Sequence, residues 1–306
     1  MSFALQVKKE LLENRPNILS RQKAQAYGMV LFGRSFSQNS ISFQTENKAV
    51  ADLYVQYLFD FAGLQSGVTT VQYRKQKGCI YLVTVDDEDD RRRVISAFGH
   101  TMGETNLRIR VENLDPDTTS SFLSGVYLVC GNITDPQKNY HAELSVPHLK
   151  LCGDLSLLLH AAGSHPKHTV RRGVHLLYYK ESEQIEDLLT MIGAVKCSLE
   201  LMNVKIYKDV RNKVNRITNC ETANIEKTVA ASSSQVEDIR LIWRVKGEDS
   251  LPKELRELAR LRVENPELSL RELGEALPEP ITRSGVNHRL KRLNGIAQEL
   301  RKRGCE

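Results

Sequence analysis

Four histidines form the densest group of side chains that could hold a metal ion, and the run DDEDD at Asp86–Asp90 is the densest group of acids. The histidines are His160, His165, His168 and His175. Their spacing does not match HExxH or a CxxC-linked zinc site, and no acid lies among them. The acids precede a basic helix, where negative charge favours the helix N-terminus. We therefore expect structural or surface histidines and a helix-capping role for the acids, with no metal and no cofactor.

Other enzyme signatures are also missing from the sequence. It contains no P-loop, GxGxxG or GxSxG pattern. Cys220 lies in the polar stretch NCETAN, but no histidine can be assigned to activate its thiol. We therefore expect neither these motifs nor Cys220 to supply a catalytic site.

Two local excesses of positive charge suggest what it binds. Residues 281–303 carry seven cations against one acid, Glu299. A second cluster, which contains only Asp209 as an acid, consists of Lys205, Lys208, Arg211, Lys213 and Arg216. Such clusters are typical of a polyanion partner, although a single run of charge is more often a solvated face. Charge alone does not decide between the two.

The first cationic segment coincides with a motif, Leu268–Leu293. Ser269 with Glu272 forms a capping box that predicts a helix start, and Leu270, Leu273 and Leu277 give this helix one apolar face. The sequence PEPIT then forms a turn, and a second helix follows with Val286, Leu290 and Leu293 on one stripe. A short helix, a turn and a basic second helix indicate a helix-turn-helix over about 269–302. An αα-hairpin for protein contact is the alternative.

The second helix of this motif predicts the side chains that contact double-stranded DNA. Ser284, His288 and Lys291 face away from the apolar stripe, and Asn287 and Arg292 flank them. Asparagine and arginine side chains can hydrogen-bond to base edges, so Asn287 and Arg292 are expected to read bases. Arg283, Arg289 and Arg301 are expected to contact phosphates. The complete predicted set is Arg283, Ser284, Asn287, His288, Arg289, Lys291, Arg292 and Arg301.

The N-terminal two thirds contain an internal repeat. AQAYGMVLFGRSF around Gly28 and SSFLSGVYLVCGNI around Gly125 are both short apolar helices with a central glycine. Similar patterns of strands and helices follow each one, which predicts two α-β-β-α-β-β-α units at about 15–100 and 116–195. The fold class is therefore α+β, with an all-α C-terminal domain. The two central helices are expected to pack closely through Gly28 and Gly125.

These patterns predict three segments: an α+β domain over 1–205, a basic connecting segment and helix over 206–250, and a DNA-binding domain over 251–306. In the basic cluster, Val204, Ile206 and Tyr207 alternate with polar residues, which favours a strand with a basic face. That strand would be a second DNA contact or, equally, an interdomain surface.

Length and composition are consistent with this division. The chain has 306 residues and a net charge of +5, and its six cysteines are scattered without a CxxC pair. No uncharged apolar run approaches the roughly 18 residues of a membrane span, and the N-terminal residues lack a signal-peptide pattern. We expect a cytoplasmic protein with reduced thiols and no membrane partner.

The chain resembles the WhiA family of bacterial regulators over nearly its full length. The resemblance rests on YGMVLFGR, FLSGVYLVCGNITDP, YYKESEQIEDLLTMIGA, VRNKVNRITNCETANIEKTV and LRELGEALPEPITRSGVNHRLKRL. It implies a degenerate two-repeat LAGLIDADG-like domain followed by a helix-turn-helix. It further implies a nucleoid-associated regulator of cell division, chromosome segregation and, where present, sporulation genes.

The resemblance also bears on catalysis. A LAGLIDADG nuclease places one acid at the C-terminal end of each signature helix, where the pair holds divalent ions. Those positions fall on Gly33 and Cys130, and Asp135 alone would not restore the pair. The implied protein is non-catalytic. One alternative is an active metal-dependent endonuclease, and another is an interaction scaffold of the division machinery. Each of these functions is compatible with a regulatory partner protein.

Overall fold

The computed structural model describes residues 2–64, 66–75, 78–104 and 106–304. The chain divides into two compact units, Met1–Asp209 and Val210–Glu306. Gln76, Lys77 and the sixth cysteine, Cys305, lie outside the described residues. The other five cysteines are free thiols.

The first unit begins with α1 (Phe3–Glu13) and then repeats one arrangement twice. The first copy contains α2 (Leu19–Leu31), β1 (Ser35–Ser37), β2 (Ser40–Thr45), α3 (Lys48–Ala62), β3 (Val68–Lys75), β4 (Gly78–Val85) and α4 (Glu88–Ala97). The second copy contains α5 (Pro116–Cys130), β5 (Gly131–Ile133), β6 (Ala142–Val146), α6 (Leu149–Ala161), β7 (Lys167–Arg171), β8 (Val174–Tyr179) and α7 (Ser182–Met191). A 3-10 turn, Val111–Asn113, lies between the copies.

The two sheets have equivalent strand orders, β1-β2-β4-β3 and β5-β6-β8-β7, and all neighbouring strands are antiparallel. In β6 the residues Ala142, Leu144 and Val146 are buried while those between them are partly exposed, so one sheet face packs on the core. The expected pair of α-β-β-α-β-β-α units is confirmed.

The central helices α2 and α5 pack through their glycines, as expected. A Cβ at Gly28 would lie 3.0 Å from the backbone nitrogen of Val126, and a Cβ at Gly125 would lie 3.1 Å from that of Met29. The buried Gln25 of α2 donates from Nε2 to the Ser124 hydroxyl at 3.0 Å. The small residues allow the two backbones to approach, and this hydrogen bond satisfies a polar group inside the core.

The strand expected around Val204 is wrong, because residues 195–246 form one helix, α8 (Val195–Lys246). Cys197 and Leu201 are buried, and Val204 and Lys208 are partly buried. Spacings of four, three and four residues place these side chains on one helical face, and this packing outweighs a short alternation. Glu10 of α1 accepts the backbone N–H groups of Lys196 and Cys197 at 2.7 and 2.9 Å, so a distant carboxylate caps the helix start.

The second unit contains the C-terminal part of α8, a 3-10 turn (Glu248–Ser250), α9 (Lys253–Glu264), α10 (Leu270–Ala276) and α11 (Arg283–Lys302). Its core brings together Ile242 of α8, Leu258 of α9, Leu273 of α10 and Leu290 of α11. Across the described part of the chain, no helix combines the length and the apolar character that crossing a bilayer requires.

Candidate nucleic-acid interface

Helices α10 and α11 form the expected helix-turn-helix, and local sequence explains both helix starts. Ser269 and Glu272 make the reciprocal hydrogen bonds of a capping box, as predicted. The Thr282 hydroxyl accepts the backbone N–H of Gly285 at 3.2 Å and caps α11. The turn, residues 277–282, folds back on Gly274, where a Cβ would lie 3.1 Å from the Val286 side chain and closer still to the Ile281 carbonyl oxygen.

Burial of one stripe fixes the orientation of α11. Val286, Leu290 and Leu293 are buried as predicted, and the stripe continues through Ala297 and Leu300. The spacing of four, three, four and three residues holds a single face against the core of the unit. The opposite face is therefore directed away from the core.

That opposite face of α11 carries the predicted reading side chains. The side chains on this face are all exposed, and they are Ser284, Asn287, His288, Lys291 and Arg292. Arg283 is exposed as well, but it lies seven residues before Leu290 and therefore on the side of the buried stripe, at the start of the helix. Within the described chain, no carboxylate oxygen lies within 4.0 Å of the charged groups of Arg283, Lys291 or Arg292. The face therefore presents two uncompensated cations together with an asparagine, a serine and a histidine, and Arg283 adds a third unpaired cation at the start of the helix.

Two other predicted DNA-contact residues have partners within the unit. Arg289 is half-buried, with Nη2 3.7 Å from a carboxylate oxygen of Glu254 on α9. Arg301 forms an ion pair with the buried Asp238 of α8, with 2.8 Å between Nη1 and Oδ1, and Asn294 donates a hydrogen bond to Oδ2 of the same carboxylate at 2.6 Å. Both arginines therefore contact acids of their own unit. Their partners are 35 and 63 residues distant in the sequence, so local patterning could not identify them.

The second cationic cluster is divided by the helical geometry of α8. Lys205 pairs with Glu183 and lies 3.8 Å from Glu186, and Lys208 donates to the Pro136 carbonyl at 2.7 Å and covers the Tyr140 ring. The ammonium groups of these two lysines therefore already have partners within the first unit. The remaining members, which are all exposed, are Arg211, Lys213 and Arg216.

The two positions at which a LAGLIDADG nuclease has an acid lie at the C-terminal ends of the central helices α2 and α5. Gly33 has no space for a side chain, because a Cβ there would lie 2.9 Å from the Ser42 carbonyl oxygen. Cys130 donates its thiol to the Val126 carbonyl at 3.2 Å. Burial raises the pKa of the Cys130 thiol to about 12, against the opposing charge of Lys8. A neutral thiol beside an ammonium is a poor site for a hard divalent cation.

The remaining acid near this end does not point to a metal site. Asp135 is exposed, and its Oδ1 accepts the backbone N–H of Gln137 at 2.9 Å in the turn after β5. Nowhere among the described residues do three or more metal-ligating side chains come together in a group that could hold an ion.

The histidines and the acidic run occupy ordinary structural positions. His160 lies beside His165, with ring centroids 5.0 Å apart, and His168 Nε2 lies 3.2 Å from His175 Nδ1 on the edge of the second sheet. Asp87 is the N-cap of α4 and accepts the backbone N–H groups of Asp89 and Asp90, so the interpretation of the acidic run is confirmed.

The fold and these helix ends define a class of protein: a two-repeat LAGLIDADG-like domain with altered acid positions, followed by a helix-turn-helix. Comparison with known proteins agrees. The family model described as the WhiA LAGLIDADG-like domain matches residues 119–211, and that of the WhiA C-terminal HTH domain matches residues 214–297.

Full-length relatives extend the similarity to the first repeat. The "Probable cell division protein WhiA" of Clostridium tetani (strain Massachusetts / E88) is 36% identical over 320 residues, covering 99% of each chain. That of Clostridium perfringens (strain 13 / Type A) is 38% identical over 314 residues, covering 98% of this chain and 99% of the relative. The crystal structure of full-length DUF199/WhiA from Thermatoga maritima matches with a TM-score of 0.56 and 26% identity, covering 98% of each chain. This chain belongs to the WhiA family.

Proposed function

We propose that this protein is a non-catalytic, DNA-binding regulator whose C-terminal domain, 251–306, reads double-stranded DNA with α11. The observation that carries this proposal is the exposed face of α11, where Lys291 and Arg292 have no partner carboxylate in the described chain, together with the equally unpaired Arg283 at the start of the helix. In helix-turn-helix proteins the second helix enters the major groove. A cationic and hydrogen-bonding face on that helix matches a polyanion with readable base edges.

The side chains on this face divide into two roles. Asn287 and Arg292 have the amide and guanidinium groups that pair with adenine and guanine, so we assign them to base readout. Arg283, at the first position of α11, is assigned to backbone phosphate, and Ser284, His288 and Lys291 face the groove between them. Arg289 and Arg301 act indirectly, by holding α11 against α9 and α8.

The cellular role follows from the family and from DNA binding. The two clostridial relatives carry the name of a cell division protein. We infer that this protein associates with the nucleoid and acts in cell division and chromosome segregation, and in control of sporulation genes where that process exists. A regulatory partner protein is compatible with this role.

We also propose that the LAGLIDADG-like domain does not cut DNA. Supporting this, Gly33 lacks room for a carboxylate, and Cys130 is a partly buried thiol beside a lysine. Arg211, Lys213 and Arg216 remain candidates for a second DNA contact, because they are exposed on α8 and have no carboxylate within 4.0 Å in the described chain.

The test maps DNA bound by the full-length chain across the genome and compares it with the map for Arg292→Ala. Arg240→Ala is the matched control, since Arg240 is also exposed in the second unit but lies on α8. We expect site-specific enrichment that Arg292→Ala loses and Arg240→Ala keeps. Unchanged enrichment for Arg292→Ala would favour a protein-contact role for the helix pair.

A further inference from the structure

Arg262 of α9 is an unusual residue for the interior of a small helical unit. It is 2% exposed and is the only lysine or arginine among the buried residues that the structure describes. Its Nη1 donates to the Ser232 hydroxyl at 3.4 Å and to the carbonyl oxygens of Pro266 and Leu268 at 3.2 and 2.7 Å. All three acceptors are neutral.

No carboxylate in the described chain pairs directly with Arg262. Its guanidinium has no carboxylate oxygen within 4.0 Å, and its buried Nε has no hydrogen-bond partner. Burial lowers the pKa of Arg262 from its ordinary value, and the charge of Glu267 opposes that shift. Buried charges are normally paired, because removing an ion from water carries a large free-energy cost that an opposite charge offsets. A buried guanidinium without a paired carboxylate is therefore a candidate binding group for an anion.

A cavity of about 370 Å³ in the second unit adjoins Arg262. Three further cations line it: Lys227 from α8, Arg271 from α10 and Arg283 from α11. Ser232 and Ser269 add hydroxyl groups, and no carboxylate lines it among the described residues. Arg271 pairs with Glu275 at 2.9 Å, whereas Lys227 and Arg283 have no partner carboxylate in that part of the chain.

We propose that this cavity binds a phosphate group, held by buried Arg262 together with exposed Lys227 and Arg283. A guanidinium supplies paired donors that match phosphate oxygens, and an ammonium adds charge without a fixed direction. The phosphate comes either from the DNA backbone or from a small phosphorylated molecule. The DNA source rests on the function proposed above, because Arg283 belongs to both sites; the small-molecule source does not.

Equilibrium dialysis of the full-length chain with radiolabelled inorganic phosphate, at constant ionic strength, tests the small-molecule source. The informative variant is Lys227→Ala, because Lys227 is exposed and its loss leaves the core intact. Arg240→Ala is the matched control: it removes one exposed charge from the same helix without lining the cavity. Saturable binding that weakens about tenfold in Lys227→Ala and not in Arg240→Ala supports the proposal.

A second arm tests the DNA source by replacing single backbone phosphates of a bound duplex with neutral methylphosphonates. If one replacement weakens binding of the parent protein about tenfold but has no further effect on Lys227→Ala, that phosphate occupies the cavity. Arg262→Lys and Arg262→Gln, compared where both fold as judged by thermal unfolding, should weaken phosphate or DNA binding in the same order as their loss of donors.

The proposal is overturned if free phosphate does not bind and no methylphosphonate position depends on Lys227. Its failure can be separated from failure of DNA reading by α11. If Arg292→Ala still weakens DNA binding, α11 reads DNA and only the phosphate cavity is rejected. If Arg292→Ala also binds as the parent does, both ideas are rejected.

Discussion

Gly125 of α5 lies against the backbone of Gln25 in α2, so that a Cβ on Gly125 would lie 3.0 Å from the Gln25 carbonyl carbon and closer still to its oxygen. Gly28 makes the reciprocal approach to Phe122. The contacting atoms belong to the backbone, which cannot rotate away as a side chain can. The two central helices are therefore separated by a distance that only glycine permits.

Gly125→Ala should consequently destabilise the protein by about 1–3 kcal/mol through overpacking. Gly153→Ala is the control, since Gly153 lies within α6 and no atom lies within 4 Å of its added Cβ. That variant should be neutral or stabilise by about 0.5–1 kcal/mol, because alanine favours helix. Urea unfolding measures both. Equal stability of Gly125→Ala and the parent would refute the close-packing argument.

Purified protein should not nick or cleave plasmid DNA in the presence of Mg²⁺ or Mn²⁺. The reason is that neither Gly33 nor Cys130 supplies the carboxylate that each helix end of a LAGLIDADG nuclease requires. Gel analysis of supercoiled plasmid with metal, and with chelator as control, measures this. Metal-dependent cleavage that is lost in Asp135→Asn would contradict the prediction and identify Asp135 as a metal ligand.

Base-reading and phosphate-contacting residues of α11 should differ in their effects on DNA affinity. Asn287→Ala or Arg292→Ala should cost about 1–3 kcal/mol and relax preference at one base position. Arg283→Ala should weaken all sequences alike and reduce the salt slope by about one. Titrations against specific and scrambled duplexes at several salt concentrations separate the two, with Arg240→Ala as control. If every variant binds as the parent does, α11 is not the reading helix.

Arg301→Ala should act on stability rather than on DNA sequence preference. It leaves the buried Asp238 without its cationic partner, which should lower the free energy of unfolding by about 1–2 kcal/mol after allowing for the partial exposure of Arg301. Arg303→Ala is the control, because Arg303 is exposed and lies at the end of α11. A smaller loss in an Asp238→Asn background would confirm the coupling. A change in base preference with unaltered stability would instead make Arg301 a DNA contact.

The stability of the first unit should fall as the solution becomes acidic, because burial lowers the pKa of His100. The His100 ring contacts the Tyr27 hydroxyl at 3.1 Å and Glu104 at 2.8 Å. The charges of Glu104 and Glu112 oppose the shift, and that of Arg110 adds to it. The unfolded chain binds a proton more readily than the folded one. Stability is therefore complete above the ordinary pKa of 6.5 and decreases as the pH falls below it.

His100→Gln should make unfolding less dependent on pH below about 6.5, because it removes this titrating group. His168→Gln, at an exposed position, is the control for the histidine-to-glutamine substitution itself. Urea midpoints measured from neutral to mildly acidic pH give the comparison. An unaltered pH profile for His100→Gln would show that another group determines acid stability.

Local sequence was sufficient to predict the features that depend on residues close together in the chain. The capping box at Ser269 and Glu272 involves residues three apart, and the stripe Val286, Leu290 and Leu293 follows from helical periodicity. The repeat was visible because both copies keep a glycine in the central helix, at Gly28 and Gly125. These features depend on chain geometry within a few turns, so they could be predicted without tertiary contacts.

Tertiary structure decided the rest, because the deciding partners are far apart in the sequence. The segment around Val204 is helical because its apolar and basic side chains pack against other elements of the first unit, although its short alternation favoured a strand. Asp238 forms an ion pair with Arg301, and Ser232, Pro266 and Leu268 accept hydrogen bonds from Arg262. Sequence by itself determined which helix is cationic. Only the fold determined which of its charges remain unpaired, because pairing depends on distances between separate helices.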